Sequence, residues 1–234
     1  MSVTFDFTDR VVIVTGAGGA LGSAVAARFA DAGATVCAVD LIAPDSEDSL
    51  LADSAYDSFY QADLTMEESV DPTIETIAEE HGRIDHLCNV AGTWRGGTPI
   101  DETDLESFDL LMNVNLKSAF LTSKHSLPHL QESGGSIVSV SARSSLEGGE
   151  GDGPYRISKA GIRLLTETIA EENLGTVRAN CVMPSVIDTP TNREMMDPKD
   201  EWVDPTDIAD VMLFLCSDAA AVTSGAAVPV YGEA

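Results

Sequence analysis

Apolar runs alternate with helix-spaced patterns along the whole chain. Short stretches rich in Val, Ile, Ala and Cys occupy residues 11–15, 35–40, 58–62, 85–90, 136–141, 178–183 and 226–231, and each reads as a strand. Between them the spacing changes to that of a helix. In residues 20–32, Leu21, Val25 and Phe29 recur at i, i+4 and i+8, the stripe of a helix with one buried face. Thr65 with Glu68, and Thr103 with Glu106, have capping-box spacing. They predict helices ending near His81 and spanning 105–124. Asp204, Pro205 and Asp207 predict an N-cap, a first helical residue and an acidic first turn for a helix running to Ser217. The 184–204 stretch is the longest without a regular pattern and reads as an active-site loop.

Strands separated by helices imply βαβ units and a parallel sheet. Right-handed crossovers then predict one doubly wound α/β domain of about seven strands covering residues 1–234. No repeat, linker or low-complexity segment interrupts it.

Composition changes the picture at the surface only. The hydrophobic fraction is 44%, enough for an ordinary core, which excludes disorder. The charge is not ordinary: 13 Lys plus Arg against 39 Asp plus Glu give −26. Direct nucleic-acid binding and anionic membranes are excluded by the shortage of cations. No apolar run reaches the length of a membrane span, and residues 1–10 lack the apolar segment of a leader. The acids are spread over the whole chain, as a coat rather than a docking patch. Such a coat repels itself at low salt and is screened at molar salt. It predicts a protein of the high-salt cytosol of a halophile. Cys37, Cys88, Cys181 and Cys216 each sit in an apolar run without metal spacing and read as buried thiols of a cytoplasmic protein. His125 and His129 are i, i+4, but Pro128 intervenes and no acidic ligand is evident, so no metal site is expected.

Three places carry candidate chemistry. The first strand ends in Thr15 and runs into Gly16, Ala17, Gly18, Gly19, Ala20, Leu21 and Gly22 before a helix. Glycines there let the backbone approach a pyrophosphate, and the helix N-terminus offers free N–H groups and the positive end of its dipole. Asp40 ends the second strand, where a carboxylate accepts bonds from a ribose and repels a 2′-phosphate. No cation lies between Arg28 and Arg83 to offset it. NAD(H) is therefore favoured over NADP(H). Tyr155 and Lys159 share one helix face at i, i+4. An ammonium beside a phenol favours the phenolate and equips it for proton exchange.

These motifs, in this order, resemble the short-chain dehydrogenase/reductase family along the whole chain. The glycine turn matches, as do Asp63 and Leu64 after the third strand. Asn89, Val90, Ala91 and Gly92 follow the fourth, and Asn115 lies in the next helix. Tyr155 and Lys159 come next, then Pro184, Ile187 and Thr189. The resemblance implies a Rossmann fold holding NAD(H) through the glycine turn, Asp40, Asp63, Leu64, Asn89, Ala91, Gly92, Lys159, Pro184, Ile187 and Thr189. It implies Tyr155 as general acid/base, Lys159 lowering its pKa and binding the nicotinamide ribose, and Asn115 helping to hold a water in a proton relay. It also implies homodimers or homotetramers built on helices 105–124 and 155–173.

One position departs. The family's catalytic Ser lies thirteen residues before the Tyr, and here that position is Ala142. Ser141 alternates to the opposite face, and Ser144 or Ser145 could replace the hydroxyl only in a remodelled loop. Dihydropteridine reductases resemble the chain in lacking this Ser. The stretches 89–97, 141–146 and 184–196 are similar to theirs too. Trp94, Arg143, Met195 and Met196 are candidate substrate contacts. Trp94 stacks on a flat substrate or serves as a rim aromatic, and the two methionines with Trp202 form a lid or pack as loop residues. Three functions remain: hydride transfer between NAD(H) and a small carbonyl or alcohol, reduction of a quinonoid pterin, and a non-catalytic dinucleotide sensor or scaffold.

Overall fold

The computed structural model describes residues 5–232, so part of the 1–10 segment and the last two residues lie outside it. All seven predicted strands form, each within one residue of its expected ends. They are β1 (Val11–Thr15), β2 (Thr35–Asp40), β3 (Ser58–Gln61), β4 (His86–Asn89), β5 (Ser136–Val140), β6 (Arg178–Pro184) and β7 (Ala227–Val230). They pair in parallel in the order β3-β2-β1-β4-β5-β6-β7. The order reverses between β1 and β4, which opens a crevice at their C-terminal ends.

Alternation along the strands feeds two cores. Val12, Val14, Val36 and Ala38 point to one face. There they meet Leu21, Val25 and Phe29 of α1 (Ala20–Asp31), and Ile208 and Met212 of α7 (Pro205–Cys216). Val11, Ile13, Cys37, Val39 and Leu87 point to the other face. They pack on Ile74 and Ile77 of α2 (Glu67–His81), Leu130 of α4 (Ser118–Ser133) and Ile169 of α5 (Gly153–Glu172). Each fully buried Ile or Phe contributes about 2–3 kcal/mol in this setting. A buried carboxylate pins the frame: Asp85 accepts from Val11 N at 2.9 Å, Arg10 Nη1 at 3.0 Å and Arg83 Nε at 2.8 Å. Burial alone would raise its pKa, and these bonds lower it instead.

The helix starts differ from the expected capping boxes. Thr65 donates its hydroxyl to Asp63 at 2.7 Å, and Met66 stands at the N-cap of α2. Thr103 donates to the Pro99 carbonyl at 2.8 Å. Asp104 caps α3 (Leu105–Leu111) instead, accepting from Ser107 N at 2.6 Å. In both cases the threonine hydroxyl donates locally and a neighbouring residue takes the N-cap position. Asp204 does cap α7, accepting from Thr206 N at 2.8 Å. The helix expected over 105–124 is α3, then a π turn over Met112–Lys117, then α4 reaching Ser133. The 184–204 stretch is not irregular throughout. Thr189 caps a short helix, α6 (Pro190–Met195), and Ile187 pairs with Val203 in a parallel bridge.

The four cysteines are free and buried. The two histidines of α4 do have acids beside them. His125 reaches Asp71 at 2.8 Å and Glu67 at 3.1 Å, and His129 reaches Glu75 at 3.3 Å, all from α2. Among the described residues no group of three or more ligand side chains is placed to hold a metal. No helix of these residues is long and apolar enough to cross a membrane.

Candidate active site

The glycine turn sits at the crevice between β1 and β4. Gly16 has φ +66°, and a Cβ there would lie 2.7 Å from the Ala91 Cα. A Cβ on Gly22 would lie 1.9 Å from the Gly16 carbonyl oxygen, so α1 can approach the turn only without a side chain there. Thr15 stitches the two strands: its hydroxyl donates to Cys88 O and accepts from Val90 N at 3.0 Å and Ala91 N at 3.2 Å. Gly19 stands at the N-cap of α1 with no side-chain cap, and Ala20 and Leu21 form the first turn. A Cβ placed on Gly19 would meet Gly16 O at 3.4 Å, an ordinary contact. No side chain caps the helix N–H groups there.

Asp40 lies beside this turn. Its Oδ2 accepts from Gly18 N at 2.8 Å and its Oδ1 from Ile42 N at 3.0 Å. The segment after β2, which no sequence signal pointed to, closes over the same turn. Leu50 N donates to Gly18 O at 2.8 Å, and Ser49 Oγ lies 3.3 Å from where a Gly18 Cβ would be. Asp63 is a turn acid that accepts from Thr65 N at 2.9 Å, with Leu64 buried next to it. Asn89 ends β4 with its side chain engaged inside the fold. Its amide donates to Ser123 and Ser139 and its oxygen accepts from Thr122 at 2.7 Å, which commits the side chain to packing between the sheet and α4.

Two candidate residues converge at Gly92, where a Cβ would lie 3.1 Å from both Asn115 Oδ1 and Lys159 Nζ. Asn115 is fully buried on the π turn. Its oxygen accepts from Thr93 N at 2.7 Å, and its amide donates to Thr93 O at 3.1 Å and Ser158 Oγ at 2.9 Å. The side chain therefore braces Thr93 against α5. Ser158 in turn donates to Tyr155 O at 2.8 Å, linking Asn115 to the helix turn that carries Tyr155 and Lys159. Sequence reasoning missed Ser158, although it lies inside the Tyr-x-x-x-Lys spacing. Lys159 donates to the Val140 carbonyl at 2.9 Å, with its Nζ 5.9 Å from the Tyr155 ring centre.

Burial shifts both proton-carrying groups of the free protein. Burial, and secondarily the Asp152 carboxylate, push Tyr155 up to about 12. The ammonium is itself desolvated, falling to about 8, and is spent on a carbonyl.

Ala142 is buried at the end of β5. Ser141 turns to the α5 side and donates to Lys159 O at 2.8 Å. Ser145 is buried with its hydroxyl 3.9 Å from Met183 Sδ, and Ser144 offers its carbonyl to Arg156. The turn over Arg143–Leu146 is held in this form by Ser145 N donating to Ala142 O at 3.0 Å. Arg143 lies 4.6 Å over the Tyr231 ring. Trp94 is half exposed and packs at Gly96, next to the contact of Gly97 N with Gly151 O at 2.6 Å. Pro184 ends β6, while Met195 and Met196 stand exposed at the end of α6. A cavity of about 670 Å³ lies elsewhere, at the opposite edge of the sheet, lined by Arg10, Asp85, His86 and Arg178 and by no candidate site residue.

Comparison with known proteins gives concordant matches. A family model described as Enoyl-(Acyl carrier protein) reductase matches residues 16–232. The chain is 31% identical to a 3-oxoacyl-(acyl-carrier-protein) reductase of Thermotoga maritima, over 95% of this chain and 96% of that one. It is 34% identical to meso-2,3-butanediol dehydrogenase of Serratia marcescens, over 97% and 95%. A solved short-chain dehydrogenase/reductase of Brucella melitensis, titled glucose/ribitol dehydrogenase, superposes with a TM-score of 0.90 at 28% identity, covering 99% of this chain and 98% of that one.

Proposed function

The chain belongs to the short-chain dehydrogenase/reductase family, and from that premise we propose that it transfers a hydride between NAD(H) and a small carbonyl or alcohol, with Tyr155 exchanging the proton. The observation that carries this reading is the convergence of Asn115 and Lys159 at Gly92, with Asn115 linked through Ser158 to the helix turn of Tyr155.

The residues fit a dinucleotide. A Cβ at Gly16 or Gly22 would collide with backbone, while one at Gly19 would make only an ordinary contact, and no side chain caps the α1 N-terminus. The glycine turn, Ala20 and Leu21 would hold the pyrophosphate through backbone N–H groups. Asp40, with lone pairs left beyond Gly18 N and Ile42 N, would accept from the adenosine ribose and disfavour a 2′-phosphate. Asp63, Leu64, Ala91 and Gly92 would border the adenine and ribose side, and Pro184, Ile187 and Thr189 the nicotinamide side. When bound, the nicotinamide supplies the hydride donor or acceptor at its C4. Tyr155 gives a proton to the substrate oxygen in reduction and takes one from the alcohol in oxidation. Its raised pKa in the free protein favours the neutral, donating phenol, and a cation brought close to it would favour the phenolate. Lys159, buried and bonded to Val140 O, sits where it would bond the ribose. Trp94, Arg143, Met195 and Met196 would border the substrate.

The named relatives are a 3-oxoacyl-(acyl-carrier-protein) reductase, a meso-2,3-butanediol dehydrogenase and a protein titled glucose/ribitol dehydrogenase, which supports a carbonyl or alcohol substrate. Ala142 favours a second reading, reduction of a quinonoid pterin, because so reactive an acceptor does without the hydroxyl donor. A sensor without catalysis would not need Asn115 braced to both Thr93 and Ser158. Exposed apolar side chains on α3 to α5, including Leu105, Phe120, Ile157 and Leu164, support a homodimer or homotetramer. The acid coat supports a high-salt cytosol. The test is NADH oxidation and NAD+ reduction against diols, sugars, ketones and a quinonoid pterin in 3 M KCl. Turnover of any of them supports an enzyme, and the active class names the substrate. NADH binding without turnover on the whole panel overturns the proposal in favour of the sensor.

A further inference from the structure

The crossover from β2 to β3 contains no α-helix: residues 41–57 hold only a three-residue turn, Asp53–Ala55. This segment is a strap laid on the glycine turn. Leu51 and Ala55 are buried in the same core as Leu21, Val25 and Phe29 of α1. Leu50 N donates to Gly18 O at 2.8 Å. Ser49 is held by the same anchor: its N donates to Ser46 O at 3.0 Å, and its hydroxyl accepts from Leu51 N at 3.3 Å. Gly18 is therefore bracketed. A Cβ there would lie 3.2 Å from Asp40 Oδ2 and 3.3 Å from Ser49 Oγ, both tighter than an ordinary contact. Gly18 is buried, while Gly19 beside it, at the α1 N-terminus, is exposed. The turn is thus accessible at the helix end and filled on the side that faces Asp40.

We propose that Ser49 is a second specificity-determining residue for the dinucleotide: with Asp40 it fills the space a 2′-phosphate would need, so NADP(H) is excluded by shape as well as by charge. The inference rests on NAD(H) binding at the glycine turn with its adenosine ribose at Asp40. Charge alone is a poor filter for this chain. Asp40 and the strap residues Asp45, Glu47 and Asp48 are all acidic, with no Lys or Arg between Arg28 and Arg83, and they repel a phosphate at low salt. At molar salt the Debye length is about 3 Å and that repulsion is screened. A side chain seated against Gly18 excludes by volume, which salt does not screen. Moving Ser49 aside breaks the Leu51 N bond to its hydroxyl and, if the backbone follows, the Leu50 bond to Gly18.

The experiment measures NADH and NADPH binding to the full chain by nicotinamide fluorescence, in 0.5 M and in 3 M KCl, and reads the ratio of the two dissociation constants. The parent prefers NADH and keeps at least about tenfold of that preference in 3 M KCl, the low end of what rejecting one small group is worth. Asp40→Asn keeps the shape of the carboxylate and removes its charge, so it narrows the preference more in 0.5 M than in 3 M KCl. Ser49→Gly empties the space and narrows the preference about tenfold in both. Ser49→Thr refills it and holds the parent ratio. Ser49→Ala takes the place of the glycine variant if that one fails to fold, and narrows the preference in the same direction. A role confined to holding the strap would weaken both ligands together and leave the ratio unmoved. A folded Ser49→Gly whose ratio stays within twofold of the parent in 3 M KCl overturns the proposal, as does a parent preference that vanishes in 3 M KCl, the result of charge alone. Either leaves the NAD(H) reading standing, because NADH is still bound. A parent that binds neither ligand overturns the dinucleotide site and this inference with it. The ratio needs no turnover, so a chain inactive on every substrate leaves it intact.

Discussion

Replacing Lys159 by Met should stabilise the fold while disabling its chemistry. The side chain is 5% exposed, and burial pulls its ammonium from 10.5 down to about 8. At about 1.4 kcal/mol per pH unit, that depression corresponds to roughly 3 kcal/mol for keeping the group charged inside the fold at pH 7. Met fits the stem of Lys and carries no charge. It leaves the Val140 carbonyl without its 2.9 Å donor, which costs about 1 kcal/mol. The net gain at pH 7 is therefore about 2 kcal/mol. The sign against pH follows from the two pKa values. Below about 8 both states carry the proton, and the folded parent bears the full penalty. Between about 8 and 10.5 the unfolded chain binds a proton that the fold does not, so parent stability rises with pH. Above 10.5 the penalty is gone, and the variant is the less stable protein by the lost bond. Urea unfolding of parent and variant at pH 7 and pH 10.5, in one KCl concentration, reads the difference and cancels the tyrosines and thiols that titrate in both. A variant no more stable than the parent at pH 7, or a difference independent of pH, would refute the reasoning.

Three further outcomes are expected. Ala142→Ser restores a hydroxyl thirteen residues before Tyr155 and should raise kcat on a ketone about tenfold, part of the hundredfold that one such donor is worth; an unchanged rate favours the pterin-type substrate. Asp40→Ala should raise the NADP+ to NAD+ ratio of kcat/KM at least about tenfold, or 1.4 kcal/mol, and an unmoved ratio places the discrimination elsewhere. The melting temperature should climb between 0.1 M and 3 M KCl as the acid coat is screened, and indifference to salt would remove the halophilic reading.

The sheet was legible because its central strands are buried on both faces. The run from Val11 to Val14 is apolar, and Thr15 is buried with it, which reads as a strand in a chain of alternating elements. The glycine turn was legible because Gly16 and Gly22 answer local backbone demands that any sequence must meet with glycine. Helix starts were less so. Thr65 and Thr103 have the right spacing for caps, but their hydroxyls donate to Asp63 and to Pro99 O. The π turn under Asn115 leaves no mark on a 3.6-residue pattern. By contrast, α6 could have been found, because Thr189 and Pro190 are an N-cap and first-residue pair. Contacts made across the fold were out of reach. Ser49 at the glycine turn, Asn89 committed to Thr122 and Arg156 over Gly149 all depend on residues tens of positions away or on the path of a loop. Tyr155 and Lys159 were found by spacing, but burial, which spacing cannot see, sets their proton affinities.

The most direct test of the proposed reaction is kcat/KM for the best substrate of the panel, with NADH or NAD+ in 3 M KCl, in the parent and in Tyr155→Phe. The variant keeps the ring and loses the exchangeable proton. If Tyr155 is the acid/base, kcat/KM falls by about a thousandfold, within the range of a lost general acid or base, while NADH binding is retained. A variant that keeps its rate within tenfold contradicts the assignment.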